Sequence, residues 1–219
     1  MNNYQKTTGA GEITITAEDS IDFSESSAAS AKRIRFSGAQ LTVTEATLNN
    51  YQNSNGDGPV ELVGTNGVDA GQASVHSGST ITVQAVNGSV DLEDTSLNNY
   101  QSSNGDGEVT VTAGSDLNLR EGTIDSAKDI SLSGRDIAIT GATLNNYQNS
   151  NGDGELSIDA TRTIEADGTT FDSSKKIALT GDSMNLVGAT LNNYQNSNGD
   201  GEITLDAKSS IDATAVTLD

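Results

Sequence analysis

The stretch LNNYQNSNGDG, residues 48–58, returns unchanged at 144–154 and 191–201. A near copy, LNNYQSSNGDG, occupies 97–107, and the opening MNNYQ (1–5) reads as the tail of one more. Asn-Asn pairs begin at residues 2, 49, 98, 145 and 192, so the steps are 47, 49, 47 and 47 residues. Self-similarity at a fixed period of this length marks a repeat architecture. A repeat of this kind cannot bury its apolar face alone and must stack on its neighbours.

Between the loops, each repeat divides in two. Glu12–Gly58, Glu108–Gly154 and Glu155–Gly201 each split into 21 and 26 residues, while Pro59–Gly107 splits into 21 and 28. The two extra residues of that copy fall between Val83 and Val90. Each half holds three short segments, most of them alternating apolar and polar residues. Period-2 alternation is the mark of a half-buried strand. In the third repeat Val109, Val111, Leu117, Leu119 and Ile124 are expected inward, with Thr110 and Thr112 outward. The matching inward set of the second half is Ile130, Leu132, Ile137, Ile139 and Leu144. The phase holds across copies: Ile13, Val60, Leu156 and Ile203 share one column, Ile34, Ile81, Ile130 and Ile177 another, and Leu48, Leu97, Leu144 and Leu191 a third. No stretch follows the 3.6-residue period of an amphipathic helix.

These features predict an all-β chain: a parallel β-solenoid (β-helix), three-sided, with about nine rungs and two rungs per 47-residue repeat. Crossovers between parallel strands are overwhelmingly right-handed, so a right-handed coil is expected. The whole of 1–219 forms one segment, with repeats 12–58, 59–107, 108–154 and 155–201, a partial copy at 202–219 and another at 1–11. Met1 stands where a repeat would carry Leu, and Asp219 falls inside a repeat, so both ends read as cut edges of a longer protein.

Composition narrows the partners. Of 219 residues, 33% are apolar and 4% aromatic, and net charge is -20 with 31 acidic against 11 basic side chains. Bulk values of this kind resemble disorder, but a solenoid needs only a thin inner file of apolar side chains. Excess negative charge disfavours nucleic acid, whose binding releases counterions to basic patches. It equally disfavours an anionic membrane surface. The absence of cysteine removes disulfides and thiolate metal sites. No apolar run is long enough to cross a membrane as a helix.

The 108–145 stretch, EVTVTAGSDLNLREGTIDSAKDISLSGRDIAITGATLN, resembles the repeats of filamentous-haemagglutinin-type exoproteins. GSDLNLREGTI (114–124) and GRDIAITGATL (134–144) carry the cadence of that family, a short strand, a Gly-Asp-apolar turn and a Gly-Thr-apolar corner. The resemblance implies a right-handed β-helix, export by two-partner secretion and an extracellular or cell-surface location. It also implies adhesion or the display of a distal effector. The strict two-rung period and the long polar loop depart from the family's plainer repeats, and its secretion-signal and effector domains have no counterpart in this chain.

Three functions follow as expectations. The first is a structural shaft or spacer of an adhesin-like exoprotein. The second is a filament subunit that stacks on itself end to end. The third is a module that binds a host or bacterial surface glycan or protein through the repeated loop. In that third case the surface column is Asn50, Tyr51, Gln52, Asn99, Tyr100, Gln101, Asn146, Tyr147, Gln148, Asn193, Tyr194 and Gln195. Exposed Tyr beside amides suits polar recognition.

Calcium is the sharper idea for the loop. NSNGDG spaces its oxygens as the first positions of an EF-hand do, which makes Asn55, Asp57, Asn104, Asp106, Asn151, Asp153, Asn198 and Asp200 the calcium candidates. The closing bidentate Glu is missing, since the twelfth positions are Gly64, Ala113, Ala160 and Ala207. A turn is therefore the favoured reading, with no metal and no cofactor expected. His76 is the only histidine, so no His pair or triad exists. Glu18, Asp19 and Asp22 form the closest acidic group, but carboxylate chemistry on a polysaccharide needs a single, non-repeated cleft. None is legible, and the chain is read as non-enzymatic.

Overall fold

In a computed structural model the described residues are 2–3 (backbone only), 11–50, 58–99, 107–146, 154–193 and 201–219. They form strands and turns with no helix, and every strand pairing is parallel. The strands make a 12-stranded and a 10-stranded sheet. This is the all-β, parallel architecture that the alternating segments predict.

The inward columns are continuous. Ile13 pairs in register with Ile34, then Val60, Ile81, Val109, Ile130, Leu156, Ile177 and Ile203. Two residues along, Ile15, Phe36, Leu62, Val83, Val111, Leu132, Ile158, Leu179 and Leu205 form a second file. In the smaller sheet Leu48, Val75, Leu97, Ile124, Leu144, Phe171 and Leu191 form a third. All ten residues expected inward in the third repeat are buried, and Thr110 and Thr112 are half-buried on the other face. Each fully buried Val, Leu or Ile contributes about 1.5–3 kcal/mol relative to exposure. Phe36 adds an edge contact with Phe23, ring centroids 4.9 Å apart.

The three segments of a half-repeat do not make three separate sheets. The first two share the larger sheet, and in several coils they are one strand, as in Ile34–Thr42, Ile130–Ala138 and Lys176–Asn185. The register shifts between Gly38 and Gln40, between Gly134 and Asp136, and between Gly181 and Ser183. A bulge bends a strand while the ladder continues on either side. The break that the sequence shows as Gly or Asp is thus a bend rather than an end.

The corner between the second and third segments has a left-handed residue in each coil: Glu25, Glu45, Gln72, Asp94, Glu121, Gly141, Gly168, Gly188 and Ala215. Glycine is the expected occupant of such a position. Glutamate is tolerated because its amide is held by the next coil: Glu45 N–H donates to Gly71 O at 2.9 Å and Glu121 N–H to Thr140 O at 3.0 Å.

Candidate functional site: the loop corner

The strand Thr47–Asn49 shows why the loop begins where it does. Leu48 points into the core, and Thr47 and Asn49 point out. The chain then turns, and the next side chain, Asn50, is carried inward to complete burial. In the adjacent coil, Asn49 pairs with His76, so Ser77 stands beside Asn50. The corner column alternates accordingly: Ser30, Asn50, Ser77, Asn99, Ser126, Asn146, Ser173, Asn193, all buried.

The two residue types close two kinds of corner. Ser126 Oγ accepts from Lys128 N–H at 3.3 Å and donates to Asp129 O at 3.1 Å, which closes a four-residue turn. Ser77 and Ser173 do the same. The Ser77 hydroxyl also lies 3.2 Å from Gly58 O, and Ser30 Oγ donates to Gly11 O at 2.6 Å, so the serines touch a neighbouring coil as well. At Asn50 the longer amide spans the base of an excursion. Asn50 Nδ2 donates to Gly58 O, the residue where the loop returns, and Asn50 Oδ1 accepts from Gly78 N–H of the next coil at 2.9 Å. Asn99 and Asn146 repeat the second bond, to Ala127 N–H at 2.9 Å and Ser174 N–H at 3.1 Å. The Nδ2 atoms of Asn99 and Asn146 have no partner among the described residues, and that of Asn193 donates to Lys175 O at 3.1 Å. Ser and Asn thus alternate along this corner with the two-coil period.

The returning glycine is fixed by close approach. A Cβ on Gly58, Gly107 or Gly154 would overlap the backbone of Lys32, Ser79 or Lys128 in the preceding coil. The last letter of the repeated loop is therefore a packing requirement.

Asn50, Asn99, Asn146 and Asn193 consequently do not belong to an exposed binding column. They are buried in the wall, because the corner turns their side chains inward to satisfy backbone groups that would otherwise lack partners. The rest of that column, Tyr51, Gln52, Tyr100, Gln101, Tyr147, Gln148, Tyr194 and Gln195, lies outside the described residues. So do the calcium candidates Asn55, Asp57, Asn104, Asp106, Asn151, Asp153, Asn198 and Asp200. Among the described residues no group of three or more His, Cys, Asp or Glu is placed to hold a metal.

Beside the corner, the outward face of the smaller sheet carries two polar files. One is hydroxylic: Thr47, Ser74, Ser96, Thr123, Thr143, Thr170, Thr190. The other is Asn49, His76, Asn98, Asp125, Asn145, Asp172 and Asn192. Asn192 Nδ2 donates to Asp172 Oδ1 at 2.7 Å, and Ser74 Oγ lies 2.8 Å from His76 Nε2. Burial raises the Asp125 carboxyl above its usual range, with the Asn145 hydrogen bond opposing it, and burial lowers His76. Both shifts favour the neutral form. His76 is half-buried in this ladder.

Glu18, Asp19 and Asp22 are all exposed. The hydroxyl and N–H of Ser24 donate to Asp22 and hold its carboxyl below the usual range. That carboxylate caps a turn.

The second repeat carries two extra residues within 86–89. They sit against the bend at 64–67, and a polar groove of about 460 Å³ opens there. The length anomaly between Val83 and Val90 was the sequence signal for it; that it opens a cleft depends on which strands lie beside it. Further along the same file a second groove, of about 540 Å³, lies between Glu165, Met184, Asn185 and Asp212. No family model, curated protein or solved structure matches the chain.

Proposed function

We propose that the chain is a segment of a rigid shaft in a secreted or surface-displayed adhesin-like exoprotein: a right-handed, three-sided β-solenoid of about nine rungs, rising about 4.8 Å per rung and so about 40 Å in all. The observation that carries this reading is the unbroken register of inward residues from Ile13 to Ile203. Such a wall transmits force and distance through backbone hydrogen bonds along its axis and has no need of a catalytic centre. The haemagglutinin-like cadence of 114–124 and 134–144 supports an extracellular setting. Small-angle X-ray scattering of the chain and of variants carrying one and two further copies of 108–154 tests the shape. A long dimension that grows by about 9.6 Å per added copy at constant cross-section supports the shaft, and growth in all directions overturns it.

A filament subunit is the second reading, and a specific exposure favours it. Ile211 is 41% and Leu218 57% exposed on the last coil, and Glu202–Asp212 offers an unpaired strand edge among the described residues. Such edges recruit strands. Another coil stacked on this one, from a second copy, would cover both. Charge opposes the contact at low salt, and screening relieves it. Sedimentation at low and 0.5 M salt tests it: lengthening rods at high salt support self-stacking, and monomers at both sink it.

A further inference from the structure

The geometry points to a neutral saccharide-binding site in the groove at the insertion, formed by Gln40, Asn66, Asn87, Asp69 and Asp91. This site goes beyond the shaft role and does not depend on it.

The wall elsewhere repeats with a constant period; here it does not. Val90 pairs with Val68 and Leu117, so the extra residues leave the register of the coil intact and are pushed outward. They are nonetheless built in. Val86 N–H donates to Gly64 O at 2.9 Å, Asn87 N–H to Thr65 O at 2.8 Å, and Ser115 N–H to Gly88 O at 3.0 Å. A Cβ on Gly88 would overlap the Asn66 carbonyl, so the insertion presses directly on the bend below. The Gln40 side chain lies over Gly67, where a Cβ would stand 3.0 Å from its amide. The groove rim is thus anchored by backbone hydrogen bonds on both sides.

Its chemistry selects the ligand class. No Lys or Arg lines it, which disfavours phosphates and other anions. Three side-chain amides supply donors and acceptors. Asp69 and Asp91 are partners in register on adjacent strands, an arrangement in which like charges repel. Each already accepts two hydrogen bonds through Oδ1, Asp69 from Gly71 N–H and the Thr44 hydroxyl, both at 3.2 Å, and Asp91 from Asn118 Nδ2 at 2.9 Å and Glu93 N–H at 3.1 Å, while the Oδ2 atoms stay open to the groove's ligand. More donors would ease the repulsion further. A pyranose ring offers several hydroxyls that both donate and accept, carries no charge, and fits a cavity of this size. A polyamine would also answer the carboxylates and the amide carbonyls, but it carries only donors, so the three amide N–H groups would go unused.

The test uses saturation-transfer NMR on the full chain with methyl α-D-mannopyranoside, methyl β-D-glucopyranoside, methyl β-D-galactopyranoside and N-acetylglucosamine. At least one should receive transfer at its ring protons. Gln40→Ala and Asn66→Ala, both at exposed positions, should each weaken that ligand roughly tenfold, the scale of one lost hydrogen bond. Deleting Asn87 and Gly88 restores the length of the equivalent turn at 135–136 and should abolish binding with the circular dichroism unchanged. Should the deletion fail to fold, the two point variants still decide. No transfer to any of the four sugars overturns the proposal. So does transfer that survives both point variants, or binding of spermidine in place of every sugar.

Discussion

Asn50 Oδ1 accepts the backbone N–H of Gly78, 28 positions along the chain, at 2.9 Å, while its Nδ2 donates to Gly58 O. One buried amide thus closes its own loop and ties that loop to the next coil. Asn50→Ala should cost about 2 kcal/mol, because the Gly78 N–H loses its partner and the buried Gly58 O is left with the Ser77 hydroxyl alone. Asn49→Ala, one residue away on the outer face, should cost about 0.5 kcal/mol or less. Chemical denaturation measures both, and equal losses would refute the clamp.

Gly107 returns the second loop against the backbone of Ser79. Gly107→Ala forces backbone apart and should destabilise by about 2–3 kcal/mol. Gly168→Ala meets nothing within 4 Å and suffers only its left-handed φ of 62°. It should cost about 1 kcal/mol. Thermal melts that rank the two the other way would show that close approach is not what fixes the loop's last residue.

Ile130 and Ile137 lie in the buried files, at 0% and 1% exposure. Ile→Asp at either buries an unpaired charge and should remove several kcal/mol, enough to unfold the coil around it. Thr110→Asp, on the half-buried outer face, should stay within about 0.5 kcal/mol. Circular dichroism at room temperature separates the outcomes: loss of β-signal for the first pair, a native spectrum for the last.

His76 is held neutral by burial, so its folded pKa lies below the ordinary 6.5. A group whose charged form is disfavoured on folding contributes stability that is complete above 6.5. That contribution is lost as pH falls through the folded value. Melting temperature should therefore decline from pH 7 downward, and His76→Gln should flatten the decline between 6.5 and the onset of carboxylate titration. An unchanged slope in the variant would place the pH dependence elsewhere.

The sequence by itself determined the repeat, its 47-residue period, the strand-like alternation and which residues of 108–154 face the core. These are local matters: an apolar residue at every second position has one way to be buried, and copies in phase must stack in phase. The tertiary structure decided what the loop asparagines do. In sequence Asn49 and Asn50 are equivalent polar letters; in the coil one faces solvent and the other fills the corner, because the turn breaks the alternation between them. Glu45 and Glu121 likewise show no turn signature of their own, and their left-handed backbone is imposed by carbonyls of the next coil. The groove at Asn66 and Asn87 needed the same information. Two extra residues mark a place in the chain, but only the stacking of neighbouring coils turns that place into a cleft with Gln40 on its other side.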